Sequence, residues 1–350
     1  MARGILHAAP TSAALLPSMT PTCRTLLVTT VLTLASTAAV RADEYLWLYT
    51  RGADTLPQGV WEAKFAMLSR LGKASGNYVF NEFRPELEYG LTDRLTLGAE
   101  ISIFDHHYSK VRWAPMIDTQ GGPDGSFDKT QYAGLELYAK YNILSAYKDP
   151  IGLAVGAGYE RRDVYRLDGA EIDQDTLELM VFLQKNWLDN TLQWSFSGKV
   201  ELERRKSPDV LEEEIAFDLA TGLSYRVAPR WFVGVEARYQ ADFLSPQIDG
   251  VIEGRRSSWD IGDMRLGDQF QYGLYAGPTL HYAGNEWWIT AGALWQVQGW
   301  SADGPDASSN NRDWDEHERW HVGVTVGWEF GRDKGEEPAA ATGKTSRSSK

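Results

Sequence analysis

Cysteine is almost absent from this sequence, and long apolar stretches are absent beyond residue 42. The single cysteine, Cys23, follows Pro21 and Thr22, which do not form the cleavage motif of a lipoprotein. The chain after residue 42 has no thiol, which excludes disulfides, thiolate metal sites and cysteine nucleophiles. No apolar stretch there approaches the about 20 residues that a transmembrane helix requires. A helical membrane protein is therefore excluded.

Acidic residues are also missing from residues 1–42. This segment contains an apolar run from Leu26 to Val40, and small residues lead from that run to Ala42. Such a composition is typical of a secretory signal peptide, and we predict cleavage after Ala42. The chain is therefore expected to be exported.

Negative charge exceeds positive charge in the exported chain. Without the three arginines of the predicted signal peptide, 32 of the 35 basic residues remain against 48 acidic residues. Nucleic-acid binding needs a basic surface. This balance argues against nucleic acid as a partner.

The chain does contain long segments in which apolar and polar residues alternate. In one of them, Leu97, Ile101 and Ile103 fall on one face and Thr96 and Glu100 on the other. Similar segments recur from about residue 59 to residue 330, and we count about twelve. A period of two is typical of a strand that meets lipid on one face and a polar interior on the other.

The links between these segments alternate in length. Short links fall at residues 91–94, 145–150, 188–191, 228–230 and 283–286, and long links fall at 105–130, 161–174, 243–268 and 298–318. Outer-membrane barrels have short periplasmic turns and longer extracellular loops. The spacing therefore predicts an all-β fold, an antiparallel transmembrane β-barrel of about 12 strands, over residues 59–330.

Aromatic residues mark the strand ends beside the short links, as expected for a membrane-interface belt. They are Tyr89, Tyr141, Trp187, Tyr225, Trp231, Tyr282, Trp287 and Phe330. A soluble antiparallel sandwich or a filled soluble barrel is the alternative, because its strands also alternate. It needs no aromatic belt, and its strands are usually about 5 to 6 residues long. We therefore favour the membrane barrel.

The signal peptide, the strand count and the ending Gly327-Trp328-Glu329-Phe330 together resemble the outer-membrane β-barrel proteins of Gram-negative bacteria, including small porin-like barrels. The resemblance covers about residues 45–330. It implies location in the outer membrane, contact with outer-membrane lipid and insertion by the barrel-assembly machinery. In that family a final strand with an aromatic end serves as the assembly signal, and Trp328 and Phe330 occupy the matching positions.

Two terminal segments lie outside the predicted strands. Residues 43–58 are aromatic and carry Tyr45, Trp47 and Tyr49. They could plug the lumen, add a strand or pack beneath the barrel on the periplasmic side. Residues 331–350 form a polar tail, which the resembling family lacks and which we predict to be disordered.

Strand parity places charged residues of both signs on the inner face. The candidates for lining the lumen are Arg84, Glu86, Glu88, Glu100, Glu136, Lys140, Lys199, Glu201, Asp218, Arg226, Glu236, Arg238, His281 and His321. Charges of both signs could line an aqueous passage or pair across the lumen and fill it. We predict a narrow or partly occluded passive channel, or a binding site, for a small, unidentified solute.

Two other functions stay open at this point. A lipid-acting hydrolase is one, because His107-Tyr108-Ser109 resembles the His-x-Ser arrangement of outer-membrane phospholipases. In that family Asn-Gly follows, whereas Lys110 and Val111 follow here, and no partner for the serine is identifiable. A structural or adhesive surface barrel is the other. For none of these functions do we predict a catalytic residue, a metal site or a cofactor.

Overall fold

The computed structural model describes residues 45–111, 125–207, 210–245, 247–248, 251–252, 266–302 and 311–331. The predicted signal peptide and nearly all of the predicted polar tail lie outside the described residues. No helix among the described residues is long and apolar enough to cross a membrane.

Fourteen strands occur among the described residues. They are β1 (Trp61–Leu71), β2 (Asn77–Thr92), β3 (Leu95–Ser109), β4 (Ser126–Leu144), β5 (Gly152–Val164), β6 (Glu171–Trp187), β7 (Leu192–Ser207), β8 (Val210–Ala228), β9 (Trp231–Leu244), β10 (Gln247–Ile248), β11 (Val251–Ile252), β12 (Gln269–Ala283), β13 (Trp287–Ser301) and β14 (Trp320–Phe330).

Twelve of the described strands form one closed barrel. Each pairs antiparallel with its neighbours in the order β1-β14-β13-β12-β9-β8-β7-β6-β5-β4-β3-β2, and β10 and β11 form a separate two-stranded sheet. Closure occurs between the first and last strands, where Trp61 is paired with Phe330. The predicted antiparallel barrel of about 12 strands is confirmed.

The two faces of the sheet reverse the usual arrangement of a soluble protein. On β3, the outward Leu97 and Ile101 are each 40 % exposed, whereas the inward Glu100 is 3 % exposed. A closed sheet with apolar side chains outside and charged side chains inside is stable only where hydrocarbon surrounds it. The alternation of apolar and polar residues in the sequence thus arises because one face of each strand meets lipid and the other meets the polar interior.

Exposed aromatic side chains form two belts around the barrel. At the end with the short turns, Trp231 and Tyr282 have ring centroids 4.8 Å apart, and toward the other end Tyr239 and Tyr272 have centroids 5.8 Å apart. Tyr272 and Tyr282 lie on the same strand, β12. Their ten-residue separation corresponds to about 25 Å along the barrel axis at the usual strand tilt of about 40°. That height matches the hydrocarbon band that such barrels cross.

A row of polar side chains covers the outer face beyond the second belt. Ser69, Asn81, Asp105 and Thr130 follow one another across β1 to β4 in the sheet register. Hydrogen bonds join them, from Ser69 to Asn81 over 2.7 Å and from Asn81 to Asp105 over 3.0 Å. Because hydrocarbon does not surround such a polar surface, the strands extend beyond the membrane on this side.

Candidate functional site in the barrel lumen

The lumen holds the segment that precedes β1, residues 45–58, which we name the inner segment. Tyr45 and Trp47 are buried, with 6 and 3 % of their surface exposed. The Tyr45 ring stacks on Trp288 of β13 with the centroids 5.0 Å apart, and the Thr290 hydroxyl donates to the Tyr45 carbonyl oxygen. Stacking and burial therefore anchor the beginning of the inner segment to β13.

One carboxylate, that of Glu236 on β9, binds the middle of the inner segment. The backbone N–H groups of Leu48, Tyr49 and Thr50 donate to its oxygens over 3.0, 2.9 and 2.6 Å. The Thr50 hydroxyl donates as well, over 2.8 Å. Successive N–H groups that converge on an anion form a concave anion site, and such charge-assisted hydrogen bonds are stronger than neutral ones.

The inner segment then crosses to the wall formed by β3, β4 and β6. The N–H of Ala53 donates to the Gln184 side chain over 2.7 Å, and the Asn142 amide donates to the Ala53 carbonyl over 2.7 Å. The N–H of Leu56 donates to the Thr96 hydroxyl over 2.9 Å. The segment therefore spans the lumen from wall to wall before the chain enters β1.

Inward-facing glycines make room for this segment. A Cβ atom at Gly222 of β8 would lie 2.3 Å from Nε1 of Trp47. A Cβ atom at Gly292 of β13 would lie 2.9 Å from Cγ of Leu48. Glycine permits such close approach because it has no side chain to displace.

A buried ion-pair cluster lies beside the start of the inner segment. The Lys64 ammonium lies 2.9 Å from a carboxylate oxygen of Glu86 and 2.8 Å from one of Glu88. The Tyr45 hydroxyl donates to Glu88 over 2.8 Å, and Lys64 also lies 3.9 Å from the centroid of the Tyr45 ring. The Arg51 guanidinium adds a longer pair with Glu86, at 3.7 Å. Charges of both signs thus hold the segment against β1 and β2.

The mouth opposite the short turns is narrowed by residues 311–319, which we name the outer loop. The Lys73 ammonium lies 2.9 Å from the Glu318 carboxylate, and the Tyr275 hydroxyl donates to the Glu318 carbonyl oxygen over 2.9 Å. The N–H of Asp313 donates to the Gln296 side chain over 3.0 Å. These contacts fold the outer loop inward.

His321 of β14 joins the outer loop to the inner segment. Its Nδ1 lies 2.9 Å from the Tyr49 hydroxyl, and its Nε2 lies 3.4 Å from the Glu318 carboxylate. The imidazole is fully buried. His321 therefore contacts both closures of the lumen.

Two adjoining polar chambers lie between these two closures. The upper chamber, of about 600 Å³, is bounded by the outer loop. The lower chamber, of about 120 Å³, ends at Leu48, Tyr49 and Arg51 of the inner segment. Arg70 and Arg166 are among the residues that line both chambers. The lumen therefore contains space for a small solute but is obstructed toward the short turns.

The structure separates the sequence-predicted lumen residues into groups. The wall of the lower chamber includes Arg84, Glu100, Glu136, Lys199, Glu201, Asp218 and Arg238. Glu86, Glu88, Glu236 and His321 contact the inner segment. Their part in a solute pathway stays a prediction.

The three remaining candidates lie outside the wall of the lower chamber, and two of them, Lys140 and His281, interact with Asp54 and Tyr45 of the inner segment. Lys140 is buried over the ring of Phe182, at 4.8 Å from its centroid. His281 bonds the Thr290 hydroxyl at 2.7 Å. Arg226 lies beside the turn between β6 and β7, where it donates to the Asp189 carbonyl oxygen over 3.0 Å.

Sequence reasoning missed several residues of the upper chamber. Glu214 and Asp242 share the parity of the inward residues on β8 and β9, so this signal was present in the sequence. Arg166 and His317 lie in long links, where strand parity predicts nothing. All four line the upper chamber.

Three carboxylates of the lower lumen come close together. Glu160, Glu178 and Glu201 each bring an oxygen within 4.8 Å of the others. The Lys199 ammonium lies 2.7 Å from Glu178 and 2.7 Å from Glu201. Lysine therefore supplies a cation to this cluster.

The His-x-Ser candidate faces outward. Nε2 of His107 lies 2.9 Å from the Asp105 carboxylate, and Nδ1 lies 3.0 Å from Asp128. Because both imidazole nitrogens contact carboxylates, His107 is not arranged to accept a proton from Ser109. This geometry does not favour the hydrolase.

Docking of the outer loop should depend on pH through His317. Burial lowers the pKa of the His317 imidazole to about 4, against the opposing effect of Asp313 and Glu318. Once the loop undocks, this pKa returns toward about 6.5. Between these two pKa values His317 is protonated only in the undocked loop. Docking therefore weakens as pH falls from about 6.5 to about 4.

Hydrogen exchange of residues 311–319, corrected for intrinsic rates, measures this effect. We expect protection to fall across that pH range in the natural chain and to fall less in His317→Gln, which has no titrating imidazole. Identical pH profiles for the two chains would contradict the assignment.

Comparison with known proteins agrees with this architecture. Residues 39–330 match the model of a family of unknown function (DUF6662). No curated protein matches the sequence. The COG4313 outer membrane channel from Pseudomonas putida F1 has a TM-score of 0.52 at 12 % identity, over 79 % of this chain and 98 % of that chain. This likeness shows that the fold is that of an outer-membrane barrel.

Two further solved barrels show lower similarity. The translocator domain of autotransporter NalP from Neisseria meningitidis has a TM-score of 0.46 at 12 % identity, over 88 % of this chain and 97 % of that chain. The KdgM porin, solved in complex with disordered oligogalacturonate, has a TM-score of 0.40 at 10 % identity, over 77 % of this chain and 99 % of that chain.

Proposed function

The chain belongs to the DUF6662 family, whose function is unknown, and we propose that it is a passive outer-membrane channel for a small polar solute. The observation that carries this proposal is the pair of polar chambers inside a membrane-spanning barrel, obstructed toward the short turns by the inner segment. An inner wall of charged groups offers a polar path across the hydrocarbon band. A barrel built only as a scaffold has no need of such a path.

The inner segment has the properties of a displaceable gate. It precedes β1 and contributes no strand to the closed sheet. Hydrogen bonds, ion pairs, ring contacts and side-chain packing hold it, and none of them is covalent, so it can leave the lumen while the barrel stays intact. Displacement would join the lower chamber to the periplasmic end of the barrel.

The proposal extends to export and assembly. We propose that residues 1–42 direct export and that the last strand guides insertion by the barrel-assembly machinery. Phe330 supports this view because it ends β14 and pairs with Trp61 at the closure of the barrel.

Liposome swelling tests the proposed passage. We expect liposomes that contain the full chain to swell faster than protein-free liposomes in isosmotic glycerol and arabinose, and to exclude the larger raffinose. The size limit follows because about eight strands are just filled by side chains, whereas about 16 strands leave an open aqueous channel. If every solute entered at the protein-free rate, and also did so after removal of the inner segment, a structural surface role would replace the channel.

A further inference from the structure

The upper chamber carries a cluster of acidic side chains and several arginines. Glu203, Glu214 and Asp242 line it from β7, β8 and β9, while Arg70 lines it from β1. In the circular strand order, β1 and β7 are separated by half of the twelve strands. Arg70 therefore faces the acidic wall across the lumen, and Arg166 reaches the same chamber from the link between β5 and β6.

Carboxylates lie close together on the acidic wall formed by Glu203, Glu214 and Asp242. Glu203 and Glu214 are direct partners across β7 and β8, and like charges in such positions repel each other. The hydrogen-bond donors that contact this wall include two neutral amides, from Gln174 to Glu203 over 2.7 Å and from Gln271 to Asp242 over 2.5 Å. The amide oxygen of Gln271 is buried without a hydrogen-bond partner. Several acceptors thus face one region of the chamber.

Arg205 lines the same chamber and supplies one cation to this wall. It forms an ion pair with Glu212 and lies 4.1 Å from the centroid of the Tyr165 ring. The Tyr165 ring covers one face of the Arg205 guanidinium group. An ammonium group, with three donors and a positive charge, would complement the remaining carboxylates.

Two arginines of the chamber have incomplete hydrogen bonding. Arg70 and Arg166 share the carboxylate of Glu82, at 3.6 and 4.0 Å, which are longer than hydrogen bonds. The Nε atoms of both arginines are buried without an acceptor, and Arg70 is only 7 % exposed. Burial lowers the pKa of Arg166, and the neighbouring Arg162 adds to this effect, against the opposing effect of Glu82. Guanidinium groups bind carboxylates in a two-pronged geometry that fits these free donors.

We propose that the upper chamber binds a zwitterionic solute of amino-acid or short-peptide size. Its carboxylate contacts Arg70 and Arg166, and its ammonium contacts Glu203, Glu214 and Asp242. The chamber volume of about 600 Å³ lies within the range of small-molecule sites. This inference names the solute class of the proposed channel and so rests on that function, although binding can be measured without passage.

A matched set of ligands tests the proposal on the purified full chain. Glycylglycine carries both charges, N-acetylglycine carries only the carboxylate, and glycylglycine amide carries only the ammonium. By titration calorimetry we expect glycylglycine to bind about tenfold more tightly than either single-charge ligand, since one charge-assisted contact is worth about that factor. Equal affinities for the three ligands, or no binding of glycylglycine to the folded chain, would overturn the proposal.

Two variants test which residues bind the carboxylate and the ammonium of the ligand. Arg166→Gln should abolish the preference for glycylglycine over glycylglycine amide, and Asp242→Asn should abolish the preference over N-acetylglycine. Arg161→Gln and Asp105→Asn are matched controls on the outer face, and they should leave all three affinities unchanged. The proposal fails if the inner variants behave like these controls.

Solute influx separates this inference from the channel itself. If arabinose enters liposomes but the three ligands bind alike, the channel stands and the zwitterion site falls. If glycylglycine binds preferentially but no solute crosses, even without the inner segment, the site stands and the channel falls.

Discussion

Replacement of residues 45–56 by a glycine–serine sequence of equal length is expected to raise the time-averaged ion conductance in planar bilayers by about tenfold or more. The replacement removes Tyr45 from Trp288 and the amide donors from Glu236, so the segment loses its anchors in the lumen. The lower chamber then continues to the periplasmic end. The barrel itself should persist, because its twelve strands begin at Trp61.

A graded variant and a control sharpen this experiment. Glu236→Gln keeps the shape of the side chain but removes the charge that attracts three backbone N–H groups. We expect more frequent openings and a conductance between those of the natural and replaced chains. Asp105→Asn on the outer face should leave the conductance unchanged. A replaced chain that folds, judged by its heat-modifiable migration, and yet stays silent would contradict the gate.

Lys64→Met is expected to lower the free energy of unfolding by about 3 to 5 kcal/mol, the usual cost of removing one partner from a buried ion pair. The Lys64 side chain is 1 % exposed and lies between Glu86 and Glu88. Its loss leaves two carboxylates in the lumen with less compensation and removes the cation from the Tyr45 ring. Urea unfolding in lipid vesicles, followed by tryptophan fluorescence, measures the change.

Two further chains test the electrostatic cause. Lys206→Met removes a lysine whose side chain is 57 % exposed and whose pair with Asp173 spans 3.6 Å. Exposed pairs of this kind are worth about 0 to 1 kcal/mol. Lys64→Met combined with Glu86→Gln and Glu88→Gln should recover much of the lost stability, because the carboxylates no longer carry charge. A loss in Lys64→Met no larger than in Lys206→Met would show that the cluster is not stabilising.

Much of the barrel could be predicted from local pattern. Leu97 and Glu100 occupy opposite faces because side chains alternate along any strand, and hydrocarbon on one side selects which residues face it. Tyr282 and Trp287 bracket a short turn at the membrane interface, where aromatic rings are stable. These effects act on each residue and its immediate neighbours, so one sequence is enough to show them.

The candidate site was predictable only in part. Parity assigned Glu236 and Lys199 to the interior, yet it said nothing about their partners. Glu236 binds backbone groups of residues 48–50, which are more than 180 positions away in the chain. Such a contact depends on the stagger of all the strands between them, and no local pattern encodes that stagger.

The sequence by itself determined that this chain is an antiparallel membrane barrel with a charged interior, since the hydrophobic effect sorts side chains strand by strand. Only the tertiary structure put Tyr45–Leu56 inside the lumen. It also decided how Arg70, Arg166 and the acidic wall share one chamber. The reason is that closure of the sheet brings distant residues face to face, and their mutual charge and shape act only after that closure.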